Sequence, residues 1–233
     1  MSKLSQTIYT QLRDGVLTFI AHHPAPEMER FAAGVSGWAG ADAPDEQWVG
    51  GEIALLPAAA HLHAALDQVT SETEPLVALF DRHRLSCKWE QSYRRRDGLV
   101  GGDMLDGYGF VEVIGKQGPF VSGQVRIGIG VWGPDIDYPE HAHAAEEIYV
   151  PLAGHASFSL GGGAYKRHGV GSCVHVSPHL PHGFRTTDAP FVVLYIWQNG
   201  DLRETSTFSS ANAAPLRSSV GLRARNEMPI SRS

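Results

Sequence analysis

Cysteine is scarce in this chain of 233 residues, which contains only two. Cys87 and Cys173 lie far apart in the sequence and form no C-x-x-C motif. Their number and spacing argue against a disulfide framework and against a metal site built from thiolates. We therefore expect two free, buried thiols and look for the chemistry of this chain in other side chains.

Positive charge is also in short supply. The chain has 19 Lys and Arg against 25 Asp and Glu, which gives a formal net charge of -6. A chain with this balance lacks the basic footprint of a nucleic-acid-binding protein, so we expect no nucleic-acid partner. The one short basic run, at Arg94, Arg95 and Arg96, is typical of a solvated loop.

Long apolar runs are absent, and no segment of the sequence approaches the length needed to span a bilayer. The N-terminus has no basic region followed by an apolar core and a small-residue cleavage site. We therefore predict a cytoplasmic protein with no membrane span. Hydrophobic residues make up 42% and charged residues 19% of the chain, as in ordinary globular proteins. The length allows one large domain, or one domain with a substantial extension.

The first hundred residues carry helical periodicity. Apolar residues recur every three or four positions near the N-terminus, and two prolines then interrupt the pattern. Residues 1–100 are therefore predicted to form a mainly α-helical region. The predicted elements are a helix over 4–22, a short helix from Glu27 to Phe31 that stops before Gly34, a glycine-rich loop over 34–51, and helices over 57–69 and 74–83.

Short segments rich in valine, isoleucine and aromatic residues, separated by glycines, follow the helical region. This spacing predicts the strands of a sandwich or barrel over residues 101–204. Val125, Ile127, Ile129 and Val131 alternate with Arg126 and two glycines, as in a strand. Further predictions are a hairpin of residues 148–152 and 155–160, strands over 173–177 and 191–198, and a poorly structured tail over 205–233.

The segment from Tyr138 to Tyr149 concentrates groups that bind metal ions. His141, His143 and Glu147 are all odd-numbered, so an extended strand would present them on one face. A straight strand would nevertheless separate His143 from Glu147 by roughly 13 Å, too far for one ion. The chain must therefore turn over residues 144–146, and the donors that meet there suit zinc and other first-row divalent metals.

A third imidazole follows about forty residues later, in the stretch Pro178-His179-Leu180-Pro181-His182. Seven of the twelve histidines lie between 141 and 182, so several of them must be bystanders. We place His155, His168, His175 and His179 in that group. His61 and His63 imitate the paired histidines, but on a helix residues two apart point about 200° away from each other and cannot share a metal.

These residues resemble a known family. His141-x-His143-x3-Glu147-x6-Gly154 is similar to the first motif of the cupins, and Gly171 through Pro178 to His182 is similar to the second. The resemblance covers residues 100 to 200 and favours His182 over His179 as the last ligand. Cupins are double-sheet jelly-roll barrels, so the resemblance implies an α+β protein, a helical N-terminal half followed by a cupin β-barrel.

Two departures from the cupin pattern concern loop shape more than ligand identity. The pattern has a glycine six residues before the first histidine, whereas Gly133 lies eight residues before His141. It also has a glycine three residues before the distal histidine, where this chain has His179.

Within the cupins, the tyrosines around the histidines and Trp197 beyond them resemble the bacterial cupin-type dimethylsulfoniopropionate lyases. The resemblance implies that one divalent transition metal ion (zinc, iron, manganese, nickel or cobalt) is held by His141, His143, Glu147 and His182. It also implies a tyrosine as general base, with Tyr149 the first candidate and Tyr138 the second.

The implied reaction is the β-elimination of dimethylsulfoniopropionate to dimethyl sulfide and acrylate. A metal on the substrate carboxylate would spread the charge that accumulates when the α proton leaves, and a nearby dication favours a phenolate. The sulfonium group is a permanent cation, and aromatic faces attract cations. The candidates for substrate binding are Trp197, Tyr195, Phe184 and Trp132.

Other functions use the same donor set. A cupin dioxygenase would hold ferrous iron and consume oxygen, and a non-catalytic cupin would bind a small molecule without turnover. A metal-dependent sugar isomerase has no evident use for two tyrosines beside the metal. We expect a homodimer, because two-fold dimers are the commonest oligomers.

Overall fold

The computed structural model describes residues 3–41, 48–204 and 206–208. The helices of these residues are α1 (Lys3–His22), α2 (Pro26–Ala41), α3 (Ala59–Ala64), α4 (Glu74–His83) and α5 (Gly102–Gly107). The strands are β1 (Tyr108–Gly115), β2 (Phe120–Val121), β3 (Val125–Trp132), β4 (Asp137–Ala142), β5 (Glu146–Ala153), β6 (His155–Leu160), β7 (Lys166–Gly169), β8 (Val174–Val176), β9 (His182–Thr186), β10 (Phe191–Gln198) and β11 (Thr207–Phe208). Of the predicted tail over 205–233, only residues 206–208 are described.

The strands form two sheets packed face to face. One has six strands in the order β2-β1-β3-β10-β5-β8, and the other has five in the order β11-β4-β9-β6-β7. Consecutive strands such as β4 and β5 lie in different sheets, so the chain winds between the two layers. Helices followed by this double sheet confirm the predicted α+β class with a jelly-roll barrel.

The six-stranded sheet is buried on both faces. Because side chains alternate along a strand, the even-numbered residues Val192, Leu194 and Ile196 of β10 pack with the N-terminal helices. The odd-numbered residues of the same strand belong to a second core, between the sheets: Phe191, Val193, Tyr195 and Trp197. The helices therefore form a third layer outside the barrel, and the interior of the sandwich is left to aromatic and polar groups.

Helix α2 is longer than predicted. The prediction that it stops before Gly34 is wrong, because the helix runs to Ala41. Its buried residues recur every three or four positions, so one packed face outweighs the low helix propensity of glycine; they are Met28, Phe31, Val35 and Trp38. A Cβ at Gly34 would lie 2.7 Å from Gln198 Oε1 of β10, so the glycine allows the helix to approach the sheet. Residues 42–47 of the predicted loop lie outside the described residues.

The predicted hairpin of residues 148–152 and 155–160 is also wrong. Strand β5 pairs with β10 and β8, whereas β6 pairs with β7 and β9, so the two strands belong to different sheets. Gly154 joins them with a φ of 68°, and a Cβ there would overlap the carbonyl oxygen of Pro190. The glycine therefore forms a corner between the sheets, because only glycine adopts this backbone conformation without strain.

Other predicted elements agree with the structure. Helices α1 and α4 and strands β3, β8 and β10 lie within one or two residues of their predicted bounds. Both cysteines are free; Cys87 is buried, whereas Cys173 is only half-buried. Among the described residues, no helix is both long enough and apolar enough to cross a membrane.

Candidate metal centre and its cavity

Three buried histidines meet between the two sheets. His141 of β4 pairs in register with His182, the first residue of β9, and His143 follows directly after β4. One ring nitrogen from each of the three lies within 4.8 Å of the other two. The three residues are no more than 2% exposed. Imidazole nitrogens at this spacing could hold one metal ion.

Backbone carbonyls fix the orientation of all three rings. The Nδ1 atoms of His141, His143 and His182 lie 3.0, 3.0 and 2.9 Å from the carbonyl oxygens of Pro139, Ala145 and Leu180, respectively. Because a carbonyl oxygen only accepts a hydrogen bond, each Nδ1 carries the proton and donates it. In the neutral imidazole each Nε2 atom then carries the lone pair, as it does in histidines that bind metals.

Glu147 of β5 points into the same cluster. Its Oε2 lies 2.9 Å from Nε2 of His143 and 3.3 Å from Nε2 of His182. Lone pairs that face a carboxylate repel it unless a positive charge lies between them. Two ligands at about 2.1 Å from one ion are themselves roughly 3 Å apart, so these separations fit a bound cation. In addition, His182 Nε2 is buried without a hydrogen-bond partner among the residues that the structure describes.

Burial and charge set the protonation of the cluster. Burial, followed by the neighbouring His182, lowers the pKa of His141 to about 3, so this imidazole is neutral at pH 7. Burial by itself would raise the pKa of Glu147, but the neighbouring His143 and His182 outweigh it, and the pKa is lowered. Neutral imidazole and ionised carboxylate are the forms that bind metal ions.

Both predicted tyrosines flank the histidines. The Tyr149 ring centroid lies 6.0 Å from that of His182, and the Tyr138 centroid lies 5.0 Å from that of His141. Burial, with the Glu147 carboxylate next in size, raises the pKa of Tyr149 well above its usual value, and the phenol donates a hydrogen bond to this carboxylate. Burial also raises the pKa of Tyr138. A tyrosine here therefore needs a nearby cation to act as a base.

A cavity of about 250 Å³ opens beside the cluster. Its wall includes His141, Glu147 and both tyrosines, and three of the four predicted substrate-binding residues: Trp132, Tyr195 and Trp197. Phe184 does not line this cavity; it is fully buried and stacks on Tyr138 at a centroid distance of 5.1 Å. The cavity is also lined by residues that the sequence motifs do not indicate, among them Glu90, Arg94, Phe110 and Arg126.

Trp197 contacts both the histidine cluster and a cationic side chain. The His143 ring stacks on the indole at 3.9 Å, and the Arg126 guanidinium lies 4.9 Å from the indole centroid. In the sheet, Trp197 pairs with Arg126 of β3 on one side and with Glu147 of β5 on the other. A sequence signal for Arg126 did exist, because on strand β3 it has the same parity as Trp132 and therefore the same face.

Glu146, the neighbour of Glu147, points away from the cluster toward the helices. Its side chain is only 2% exposed, yet cationic and amide groups from four residues satisfy it. The contacts are Arg30 of α2 at 2.8 Å, His175 at 2.8 Å, Gln198 at 3.1 Å and Asn199 at 3.0 Å. Two adjacent carboxylates thus have different surroundings because successive strand residues face opposite sides.

The histidines placed among the bystanders lie outside the cluster. His179 is exposed, and only its backbone N–H reaches the site region, donating to the His143 carbonyl at 2.8 Å. His155 lies against Arg167, and His168 lies at 5.6 Å from the Phe158 ring. In α3, His63 contacts Asp81 at 3.0 Å, and the His61 ring lies against Gly133.

Comparisons with known proteins agree on one family. A family model described as dimethylsulfoniopropionate lyase matches residues 41–193. The dimethylsulfoniopropionate lyase DddQ of Ruegeria pomeroyi is 34% identical over 148 residues, which cover 63% of this chain and 72% of that protein. Its crystal structure matches 89% of this chain and 99% of that chain, at 25% identity and a TM-score of 0.72. A chain from the crystal structures of the lyases RdDddP and RnDddQII matches 88% of this chain and 99% of its own length, at 25% identity and a TM-score of 0.75.

Proposed function

Since this chain belongs to the dimethylsulfoniopropionate lyase family, we propose that it is a metal-dependent carbon–sulfur lyase that cleaves dimethylsulfoniopropionate to dimethyl sulfide and acrylate. The observation that carries the proposal is the contact between Glu147 Oε2 and Nε2 of His143, at 2.9 Å in a buried site. With the Nδ1 atoms turned to backbone carbonyls, this carboxylate and the Nε2 atoms around it form a buried donor set that one divalent cation would complete. The cavity beside this contact offers room for a small substrate only.

The proposed ligands are His141, His143, Glu147 and His182, and the ion is zinc, iron, manganese, nickel or cobalt. These nitrogen and oxygen donors suit any of the five. When bound, the ion would supply Lewis acidity that stabilises the negative charge that develops on the substrate and on a nearby phenolate. The carbonyls of Pro139, Ala145 and Leu180 hold the imidazole rings in the orientation that binding needs.

Tyr149 is the proposed general base and Tyr138 the second candidate. The phenolate of Tyr149 takes the proton from the carbon α to the carboxylate, and the electron pair of that C–H bond forms the new double bond. The bond from the β carbon to sulfur breaks, and its pair leaves with sulfur as neutral dimethyl sulfide. The leaving group needs no acid, so one base is sufficient for the chain's part in the elimination.

Aromatic side chains are proposed to receive the sulfonium end. Trp132 and Tyr138 meet edge to face at 5.3 Å and both line the cavity. Aromatic faces attract cations by about 0.5 to 2 kcal/mol. Phe184 does not line the cavity, and its proposed role is to hold the Tyr138 ring in place by stacking on it. A homodimer and a cytoplasmic location stay predictions.

The test is headspace detection of dimethyl sulfide from purified protein and dimethylsulfoniopropionate, with and without a chelator, under air and under nitrogen. We expect release that the chelator abolishes and that nitrogen does not change. If folded protein, loaded with each of the five metals in turn, released no dimethyl sulfide, the result would contradict the proposed lyase activity. Oxygen consumption with a thiol or diketone substrate would then favour the dioxygenase.

A further inference from the structure

One wall of the cavity presents three hydrogen-bond donors and lies on neighbouring positions of β3 and β10. The donors are the guanidinium of Arg126, the hydroxyl of Tyr195 and the indole N–H of Trp197, all on residues that line the cavity. Trp197 pairs with Arg126 and Tyr195 pairs with Gly128 in the ladder, so the three side chains project from adjacent positions of one face.

Arg126 has donors to spare. Its Nε donates to Glu112, whose carboxylate also accepts the backbone N–H groups of Gln117 at 2.7 Å and Gly118 at 2.9 Å. The two terminal amino groups of Arg126 make no hydrogen bond to the residues that the structure describes. A guanidinium fixed through Nε, with its other edge unused, is arranged to bind a carboxylate with two parallel hydrogen bonds.

Tyr195 supplies a second unused donor. Its hydroxyl is buried with no hydrogen-bond partner among the described residues, and the Nε1 of Trp197 is in the same condition. Gly128 makes room for this hydroxyl, since a Cβ there would lie 2.6 Å from it. A buried donor without a partner is unfavourable, so these groups indicate that a ligand supplies the acceptor.

We propose that Arg126, Tyr195 and Trp197 form a carboxylate-binding subsite that fixes the direction in which the substrate lies. The identity of the substrate rests on the proposed function; the subsite itself rests on the three donors. Because the Arg126 guanidinium repels a sulfonium, the cationic end must turn toward the wall of Trp132 and Tyr138. Trp197 then contributes its N–H, because its ring is already in contact with the His143 ring and the Arg126 guanidinium.

The experiment separates carboxylate binding from sulfonium binding without turnover. The binding of propionate, of its neutral amide and of trimethylsulfonium to the metal-loaded protein is measured by ligand-observed NMR. Two variants are compared with wild type: Tyr195→Phe, and the double change Arg126→Met with Glu112→Gln, which leaves no unpaired buried charge. The control is Arg185→Met, because Arg185 also stacks on an aromatic ring, that of Tyr165 at 4.2 Å, and pairs with Asp137.

We expect propionate affinity to fall about fivefold in Tyr195→Phe and more than about tenfold in the double variant. Trimethylsulfonium affinity should not fall in either variant, propionamide should bind weakly to all proteins, and the control should match wild type. Undetectable propionate binding by wild type, or unchanged affinity in both variants, would overturn the subsite. Equal losses for propionate and trimethylsulfonium would also overturn it, since they indicate a structural role.

Turnover distinguishes this proposal from the proposed function. Headspace assays of the same proteins should show a raised KM for dimethylsulfoniopropionate in Tyr195→Phe. A wild-type protein that binds propionate through these donors but releases no dimethyl sulfide would contradict the lyase and support the subsite. Release of dimethyl sulfide with unchanged propionate affinity in both variants would do the reverse.

Discussion

The change Tyr149→Phe tests the proposed base, because it removes one oxygen and leaves the packing in place. The ring lies against Phe158 at 5.6 Å and Phe184 at 6.2 Å, contacts that phenylalanine keeps. Loss of the hydrogen bond to Glu147 should cost about 1 kcal/mol of unfolding free energy. For a chain of this size, that lowers the melting temperature by about 2 to 4 °C. The metal content should not change, since no nitrogen of the cluster is altered.

Turnover should fall far more than stability. A positioned general base contributes roughly 100-fold to 10,000-fold to a rate. Each factor of ten corresponds to about 1.4 kcal/mol of activation free energy, so the barrier should rise by about 3 to 5 kcal/mol. We therefore expect kcat to drop by at least about 100-fold in a protein that is folded and metal-loaded.

Three measurements on one preparation check this expectation: dimethyl sulfide in the headspace, metal content by mass spectrometry, and thermal melting by circular dichroism. Tyr165→Phe is the matched control, because Tyr165 is 38% exposed and lies outside the cavity. Full turnover in Tyr149→Phe would refute its role as base and make Tyr138→Phe the next variant. Full turnover in both would refute both proposed bases.

Three further outcomes are expected. The variant His182→Asn removes one of the three clustered ring nitrogens, so it should retain much less metal after dialysis than wild type. The control His63→Asn should retain the wild-type amount. Equal metal content in the two variants would contradict the proposed ligands. The variant Gly154→Ala places a side chain at a φ of 68° against a backbone carbonyl, so it should destabilise the folded protein by about 2 kcal/mol and lower the melting temperature by roughly 4 to 8 °C. The control Gly169→Ala, whose Cβ meets no atom within 4 Å, should stay within about 0.5 kcal/mol of wild type. Equal melting temperatures for the two variants would refute the role of Gly154 as a corner between the sheets. The pKa of His141 is lowered from 6.5 to about 3, so as the pH falls the unfolded chain binds a proton there before the folded chain does. Protein stripped of metal by a chelator should therefore lose stability as the pH falls from about 6.5 toward 3. The variant His141→Asn should lose less stability over that range, and an equal loss would contradict the burial of a neutral imidazole.

Much of the fold follows from local patterns. The bounds of α1, α4 and β10 agree with their periodicity because the spacing of apolar residues within one element decides which of its faces is buried. Helix α2 shows where this reasoning fails. Gly34 and Gly37 indicate a break, but one packed face from Met28 to Trp38 overrides them. Propensity is a weak local term beside the burial of such a face.

The candidate metal site could be predicted because most of its donors lie close together in the sequence. His141, His143 and Glu147 span seven residues, and their parity with one turn already requires them to converge. The resemblance to the cupin pattern indicates His182 as the last ligand. The structure shows why this histidine lies in the cluster, because His182 of β9 pairs in register with His141 of β4. The prediction of a hairpin at Gly154 was wrong, because a glycine between two strands is equally compatible with a hairpin and with a corner between two sheets.

By itself, the sequence determined the order of helices and strands, the alternation along each strand and the set of donors from Tyr138 to Tyr149. Only the tertiary structure decided that both faces of the six-stranded sheet are covered, which turns Arg126 inward instead of toward solvent. It also decided that the terminal amino groups of Arg126 and the hydroxyl of Tyr195 have no hydrogen-bond partner among the described residues. Parity tells which residues share a face, but the packing of helices on one side decides which face encloses the cavity.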